Sequence, residues 1–392
     1  MPCKPIVPGV TSVGSVDWDR RLFDELVPLP DGTSYNAYLI QGTDKVALLD
    51  TVDPPKFPEL LAHLARLGIG RIDYLIAHHA EQDHSGSLPE MLHLFPGATL
   101  VSNGKCLKML ADHLHVPAER CREIADGETL ELGGKTLEFL LTPWVHWPET
   151  MLTYLRQDKV LFSCDLFGAH LAQSDPFLTD PVRTATAARR YYAEIMMPFR
   201  SQIRKHMERL AGTEIAVIAP SHGVVYRDPA FILDLYRDWV SDRVQNRVLL
   251  PFVSMHGSTR RMVEHLTEAL SRRDVEVEVC NLTATELGHL ASALVDAATV
   301  VIGTPMVLAG AHPAVVEAAY LVNALRPKTR FVGLIGSYGW GGKMVEQITG
   351  MLSSLKAEVL EPVLVQGLPG EKTYEALDRL ADGIAERHRQ LG

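Results

Sequence analysis

The sequence predicts an α/β chain with α+β character, built as two successive domains, the second a doubly wound parallel sheet. Three observations carry this prediction. The chain has 392 residues, more than one hydrophobic core usually serves. Its composition is 46% apolar and 22% charged, as in ordinary globular domains. Its rhythm also changes near residue 247: mixed strands and helices give way to five regular β/α alternations. We therefore expect domains at 1–246 and 247–392.

In the first domain, residues 35–41 and 45–50 are β-rich runs joined by Gly42, Thr43 and Asp44, a hairpin signal. Asp53, Pro54 and Pro55 open a helix whose apolar positions are Phe57, Leu60, Leu61, Leu64 and Leu67. Residues 72–77 form an apolar run of strand length followed by a polar loop. Further strands are expected at 99–102, 137–142, 151–154, 160–164 and 215–219, with a long helix over 186–210 and another over 231–241. In the second domain, strands at 247–253, 275–280, 299–303, 331–335 and near 359 alternate with helices at 259–271, 284–296, 313–325, 342–356 and 374–390.

Several function classes fall away. The formal net charge is −10 with no basic block, which argues against nucleic-acid binding. No run of 18 apolar residues exists to cross a bilayer, and residues 1–5 carry no apolar leader, so a cytoplasmic protein is expected. The five cysteines, at 3, 106, 121, 164 and 280, form no Cys-x-x-Cys pair and no disulfide framework. Cys164 reads as core packing.

Histidine is more informative. His79, Glu81, Asp83 and His84 put four possible metal ligands within six residues, after the run at 72–77. In an extended chain 79, 81 and 83 point one way, and His84 re-aims as Ser85, Gly86 and Ser87 turn the chain. His146, Asp165 and His222 each follow another apolar strand, where α/β folds place their sites. His78, His93, His113, His115, His206 and His289 lack this setting and read as surface or packing residues.

In the second domain, Ser254, Met255, His256, Gly257, Ser258 and Thr259 lie between the first strand and its helix. Hydroxyls and free N–H groups at a helix N-terminus cradle phosphate. Thr304, Pro305, Met306 and Val307 follow the third strand. Ser337, Tyr338, Gly339, Trp340 and Gly341 follow the fourth, and a glycine-rich loop bearing aromatics suits a flat ring. Together they point to FMN.

The ligand succession resembles the metallo-β-lactamase superfamily, in which a His-x-His-x-Asp-His segment precedes a His, a bridging Asp and a last His. Glu81 stands here in place of the second His. A third carboxylate beside Asp83 and Asp165 makes the site harder and more anionic, which suits iron rather than zinc. That substitution marks the flavodiiron proteins, and residues 247–392 resemble flavodoxin. The run at 190–199 (Arg190, Tyr191, Tyr192 and onward) is also similar to that family.

This resemblance implies an N-terminal αββα metallo-β-lactamase-like sandwich and a C-terminal flavodoxin-like sheet of strand order 2-1-3-4-5. It implies FMN and two Fe ions per chain. One iron falls to His79, Glu81 and His146, the other to Asp83 and His222, with Asp165 bridging; His84 either binds or turns away. Tyr191 or Tyr192 is the expected hydrogen-bond or proton donor. The family reduces O2 to water, NO to N2O, or both. Its electrons would come from a separate carrier, rubredoxin or a reduced deazaflavin coenzyme. A head-to-tail homodimer, or a tetramer, is expected to bring FMN to iron. The alternatives are a zinc metallo-hydrolase fused to a flavin domain, disfavoured by Glu81, and a non-enzymatic electron carrier, disfavoured by seven candidate ligands.

Overall fold

The computed structural model describes residues 3–391, which divide into two compact units between Val240 and Ser241. The division precedes the expected one at 246: Arg330 donates to the Asp242 carbonyl (3.0 Å), which ties this short segment to the second unit.

The first unit packs two sheets face to face. One has seven strands, in the order Lys4–Val7, Val10–Ser12, Tyr38–Gln41, Val46–Leu49, Tyr74–Ile76, Thr99–Ser102 and Cys121–Glu123. The other has five: Thr129–Glu131, Thr136–Leu141, Met151–Leu155, Val160–Phe162 and Val217–Ala219. Ile40, Leu49, Ile76 and Val101 from the first sheet meet Leu137, Phe139, Met151 and Phe162 from the second. These alternate residues share one face of each strand, which is why the strands bury it. The opposite face of the seven-stranded sheet, including Leu39, Leu48 and Leu75, packs with Leu60 and Leu64 of helix Phe57–Arg66 and Leu110 of helix Gly104–Leu114. The αββα sandwich is thus the observed architecture.

The expected helix over 186–210 is interrupted. Pro181–Tyr191 is α-helical, a π-helical turn spans Tyr192–Met196, a 3-10 turn spans Met197–Phe199, and Arg200–Leu210 is α-helical again. Pro198 supplies no N–H, so an unbroken ladder cannot pass through it. The Asp180 carboxylate caps the start by accepting from the Arg183 N–H (3.0 Å). The short strands before residue 33 and the helices Leu88–Leu94 and Gly104–Leu114 were not foreseen.

In the second unit the parallel strands lie in the order Glu276–Asn281, Gln245–Phe252, Ala297–Val307, Phe331–Tyr338, then the short Glu358–Val359 and Val363–Gln366. This is the 2-1-3-4-5 order. Helices Ser258–Ser271 and Glu371–Arg389 close one face through Leu266, Leu270, Leu377 and Ile384. Two expected loops prove to be strand. Residues 304–307 continue the third strand because Met306 and Val307 pair with Ala311 and Gly310. Residues 336–338 continue the fourth because they pair with Leu364, Val365 and Gln366. Among the described residues, no helix is long and apolar enough to cross a membrane.

Candidate metal centre and flavin cleft

The seven candidate ligands converge at the carboxyl ends of strands from both sheets. Strand Tyr74–Ile76 delivers His79, and Val217–Ala219 delivers His222. Asp165 follows Val160–Phe162 through Cys164, which takes the left-handed backbone (φ 50°). Such conformations cost about 1–3 kcal/mol and collect at functional sites. The Cys164 side chain itself is buried, as read from the sequence.

One expectation needs correction. Residues 79–84 do not run extended: Glu81 is extended, but Asp83 and His84 lie on the helical turn Gln82–Ser85. The Ser85 hydroxyl donates to the Ala80 carbonyl (2.8 Å) and tightens that turn. Helical spacing separates Asp83 and His84 by about 100°, so both enter the cluster by a route other than alternation.

Asp165 divides the cluster. Its Oδ2 lies 3.0 Å from His79 Nε2 and 3.3 Å from His146 Nε2, and His146 Nε2 is 3.1 Å from Glu81. Its Oδ1 lies 3.1 Å from His84 Nε2 and 3.5 Å from His222 Nε2. Those two imidazoles lie 3.3 and 3.2 Å from Asp83 Oδ2. Two donor sets therefore share one carboxylate, and His84 faces the second set.

The electrostatics call for cations. Burial alone would raise the Asp165 carboxyl, yet the imidazoles of His79 and His84 hold it well below the usual carboxylate range. Burial alone would lower His84 and His146, yet the facing carboxylates lift each to about 10. At the rim, burial and then Glu81 and Asp83 push Asp24 up to about 6. Three buried carboxylates opposite four imidazoles attract either protons or metal ions. Both ring nitrogens of His79 and His84, both oxygens of Asp83 and Oδ1 of Asp165 are buried without a hydrogen-bond partner. Buried polar atoms are rarely left so, and metal coordination satisfies them. This donor set fits iron.

Outer contacts orient the ligands. His222 Nδ1 lies 2.7 Å from the Ser34 carbonyl, which leaves Nε2 for the cluster. Tyr191 is buried with its ring 5.8 Å from that of His222, while burial and then Asp165 keep its phenol protonated. Tyr192 turns away: its hydroxyl donates to the Trp239 carbonyl (3.1 Å) among Tyr236 and Trp239. His78 fulfils its packing assignment, pinned by Asp50 (2.5 Å) and Thr153 (2.9 Å). Glu149 and His170, both buried near the ligands, escaped the sequence reading. A glutamate three residues after His146 carries no outward sign of burial.

In the second unit, ten of the expected flavin residues line a cavity of about 190 Å³, joined by the unforeseen Gly367. Ser254, Met255, His256, Ser258 and Thr259 line one side, and Pro305, Met306, Ser337, Tyr338 and Gly339 the other. Gly257 stands at φ 88° and turns the chain into helix Ser258–Ser271. The Ser254 hydroxyl accepts from the N–H groups of Gly257 and Arg260, both at 3.2 Å. A Cβ at Gly257, Gly339 or Gly341 would meet nothing within 4 Å, so room remains beside the cavity for a flat ligand. Thr304 does not line it: its hydroxyl donates to the Pro305 carbonyl and accepts from the His312 N–H. Gly257, Val307, Trp340 and Gly341 also lie outside the lining.

Comparison with known proteins decides the family. Residues 33–223 match a family model described as ODP family beta lactamase. The chain is 33% identical to rubredoxin-oxygen oxidoreductase of Megalodesulfovibrio gigas, over 98% of each chain. It is 32% identical to a nitric oxide reductase of Moorella thermoacetica, over 97% of this chain and 98% of that one. It also superposes on the flavodiiron protein of Giardia intestinalis with a TM-score of 0.94, at 28% identity, covering 100% of this chain and 98% of the other.

The chain belongs to the flavodiiron protein family. It is therefore an oxidoreductase, and its flavodiiron character implies a flavin and iron. The family model ends at residue 223, so the flavodoxin-like half is matched by the full-length relatives and not by that model.

Proposed function

We propose that this chain reduces O2 to water, NO to N2O, or both, at two non-haem iron ions, with electrons passed through FMN from an external donor. The observation that carries this reading is Asp165, whose two oxygens face two different donor sets. His79, Glu81 and His146 would hold one iron, Asp83, His84 and His222 the other, and Asp165 would bridge them. When bound, the irons supply adjacent redox centres for a diatomic gas and the FMN supplies electrons. The protein's part is to hold His222 by its outer nitrogen, to exclude bulk water by burial, and to offer protons. Tyr191, protonated and beside His222, is the proposed donor; Tyr192 is not, because its hydroxyl is spent on Trp239.

FMN would occupy the cleft, its phosphate on the loop 254–259 at the N-terminus of helix Ser258–Ser271. Rubredoxin is the proposed electron donor, in line with the name of the M. gigas relative; a reduced deazaflavin coenzyme is the alternative. A head-to-tail homodimer is the proposed assembly. Exposed Met255, Leu308 and Trp340 on the flavin unit support a covering partner there.

The test is anaerobic. The purified protein is reduced chemically and given O2 or NO in separate runs while iron and FMN per chain are assayed. Two irons, one FMN and rapid uptake of either gas are expected. Zinc, ester hydrolysis and no gas uptake would move the assignment to the hydrolase reading. Asp165→Ala should abolish gas reduction while FMN stays bound. Retained turnover would sink the diiron assignment.

A further inference from the structure

We propose that Glu149 is a positioning residue that fixes His79 and makes the iron held there more easily oxidised than it would be without this carboxylate. The inference rests on the diiron reading above and adds an outer partner for one of its imidazoles. Glu149 is 3% exposed. Its Oε1 accepts from the N–H of Ala80, the residue after His79, at 3.0 Å. Its own carbonyl accepts from Asn103 Nδ2 at 2.7 Å, which anchors the backbone. Oε1 also lies 4.0 Å from His79 Nδ1. Both Glu149 Oε2 and His79 Nδ1 are buried with no hydrogen-bond partner.

A buried carboxylate with an unfilled oxygen and a buried imidazole with an unfilled nitrogen are each costly alone. Lying side by side, they can satisfy each other. His79 Nε2 points at Asp165, so the remaining proton of a metal-binding ring sits on Nδ1. A shift of about 1 Å closes the gap to Glu149 into a charge-assisted hydrogen bond. An anionic acceptor raises the basicity of the imidazole and so favours the oxidised metal.

The second donor set is held differently. His222 Nδ1 meets a neutral backbone carbonyl, that of Ser34, and the buried carboxylate on the His84 side, Asp50, is hydrogen-bonded to His78. Each set holds two imidazoles and one carboxylate of its own and shares Asp165.

Glu149→Gln tests this directly, because the amide can still accept from the Ala80 N–H but carries no charge. Redox titration followed by EPR reads the two iron midpoints. One iron midpoint should rise, with the flavin midpoints unchanged. Iron affinity should fall about 10- to 100-fold. Glu149→Asp, which keeps the charge, guards against a folding failure and should recover part of the original midpoint. Unchanged iron midpoints and iron affinity in a folded Glu149→Gln protein would overturn the proposal. Should the wild type hold zinc instead of iron, the functional reading fails, while the weakened metal affinity of Glu149→Gln still tests Glu149.

Discussion

Glu81 sets the character of the metal centre at the scale of one residue. Its carboxylate lies 3.1 Å from His146 Nε2, beside the oxygens of Asp165. Oxygen donors favour iron, and imidazole favours zinc among the commoner ions. Glu81→His should keep the fold but raise the zinc-to-iron ratio of the purified protein, with gas reduction down at least tenfold; metal analysis beside NO uptake checks both. An unaltered ratio would mean that geometry, not donor type, selects the metal. The ligands were legible because each follows an apolar strand. His170 and Glu149 were not, because burial is decided by distant chain. His170 is enclosed by Thr33 (2.9 Å), Phe23 and Tyr191, contributed by remote segments.

At the scale of elements, Gly257 and His388 are the sensitive points of the flavin unit. At φ 88° an alanine side chain has space around it but no comfortable backbone. Gly257→Ala should destabilise the unit by roughly 1–2 kcal/mol and weaken flavin retention, read by thermal unfolding and flavin release. His388 joins the last helix to the sheet: its Nε2 lies 2.7 Å from Thr299 Oγ1 and its Nδ1 2.8 Å from Asn246 Oδ1. Burial holds its pKa below 6.5. The unfolded chain therefore binds the proton more readily, and this residue's contribution is lost as pH falls below about 6.5. The unfolding temperature of the flavin unit should drop over that range, and the drop should shrink in His388→Gln.

At these same elements the predicted loops at 304–307 and 336–338 turned out to be strand ends. Local composition suggested loops around Pro305 and from Gly336 onward. Pairing with Gly310–Ala311 and Val363–Gln366, respectively, overrode it. The break in the helix over 186–210 has a local cause in Pro198, but the π-helical turn Tyr192–Met196 before it has none visible in the sequence.

For the whole molecule, each unit has its own core. Phe162 is fully buried between the two sheets of the first unit, and the second unit has a core cluster of its own that includes Val248, Leu266, Val301 and Ile384. Phe162→Ala should cost the first unit about 3–5 kcal/mol. Calorimetry should then show the transition of the first unit moving down while that of the flavin unit stays. A joint shift of both would show that the units unfold as one.

Periodicity, strand-end ligands and the Glu81 substitution were readable in the chain because they depend on neighbours a few residues apart. They determined two α/β domains, the seven candidate ligands and the flavin loops, while the 2-1-3-4-5 order came with the resemblance to flavodoxin. Only the tertiary structure decided which ligands share an Asp165 oxygen, that His84 faces the second set, that Tyr191 enters the site while Tyr192 leaves it, and that Glu149 lies behind His79. Those outcomes depend on where strands from two sheets bring their ends together, and no local pattern encodes that distance.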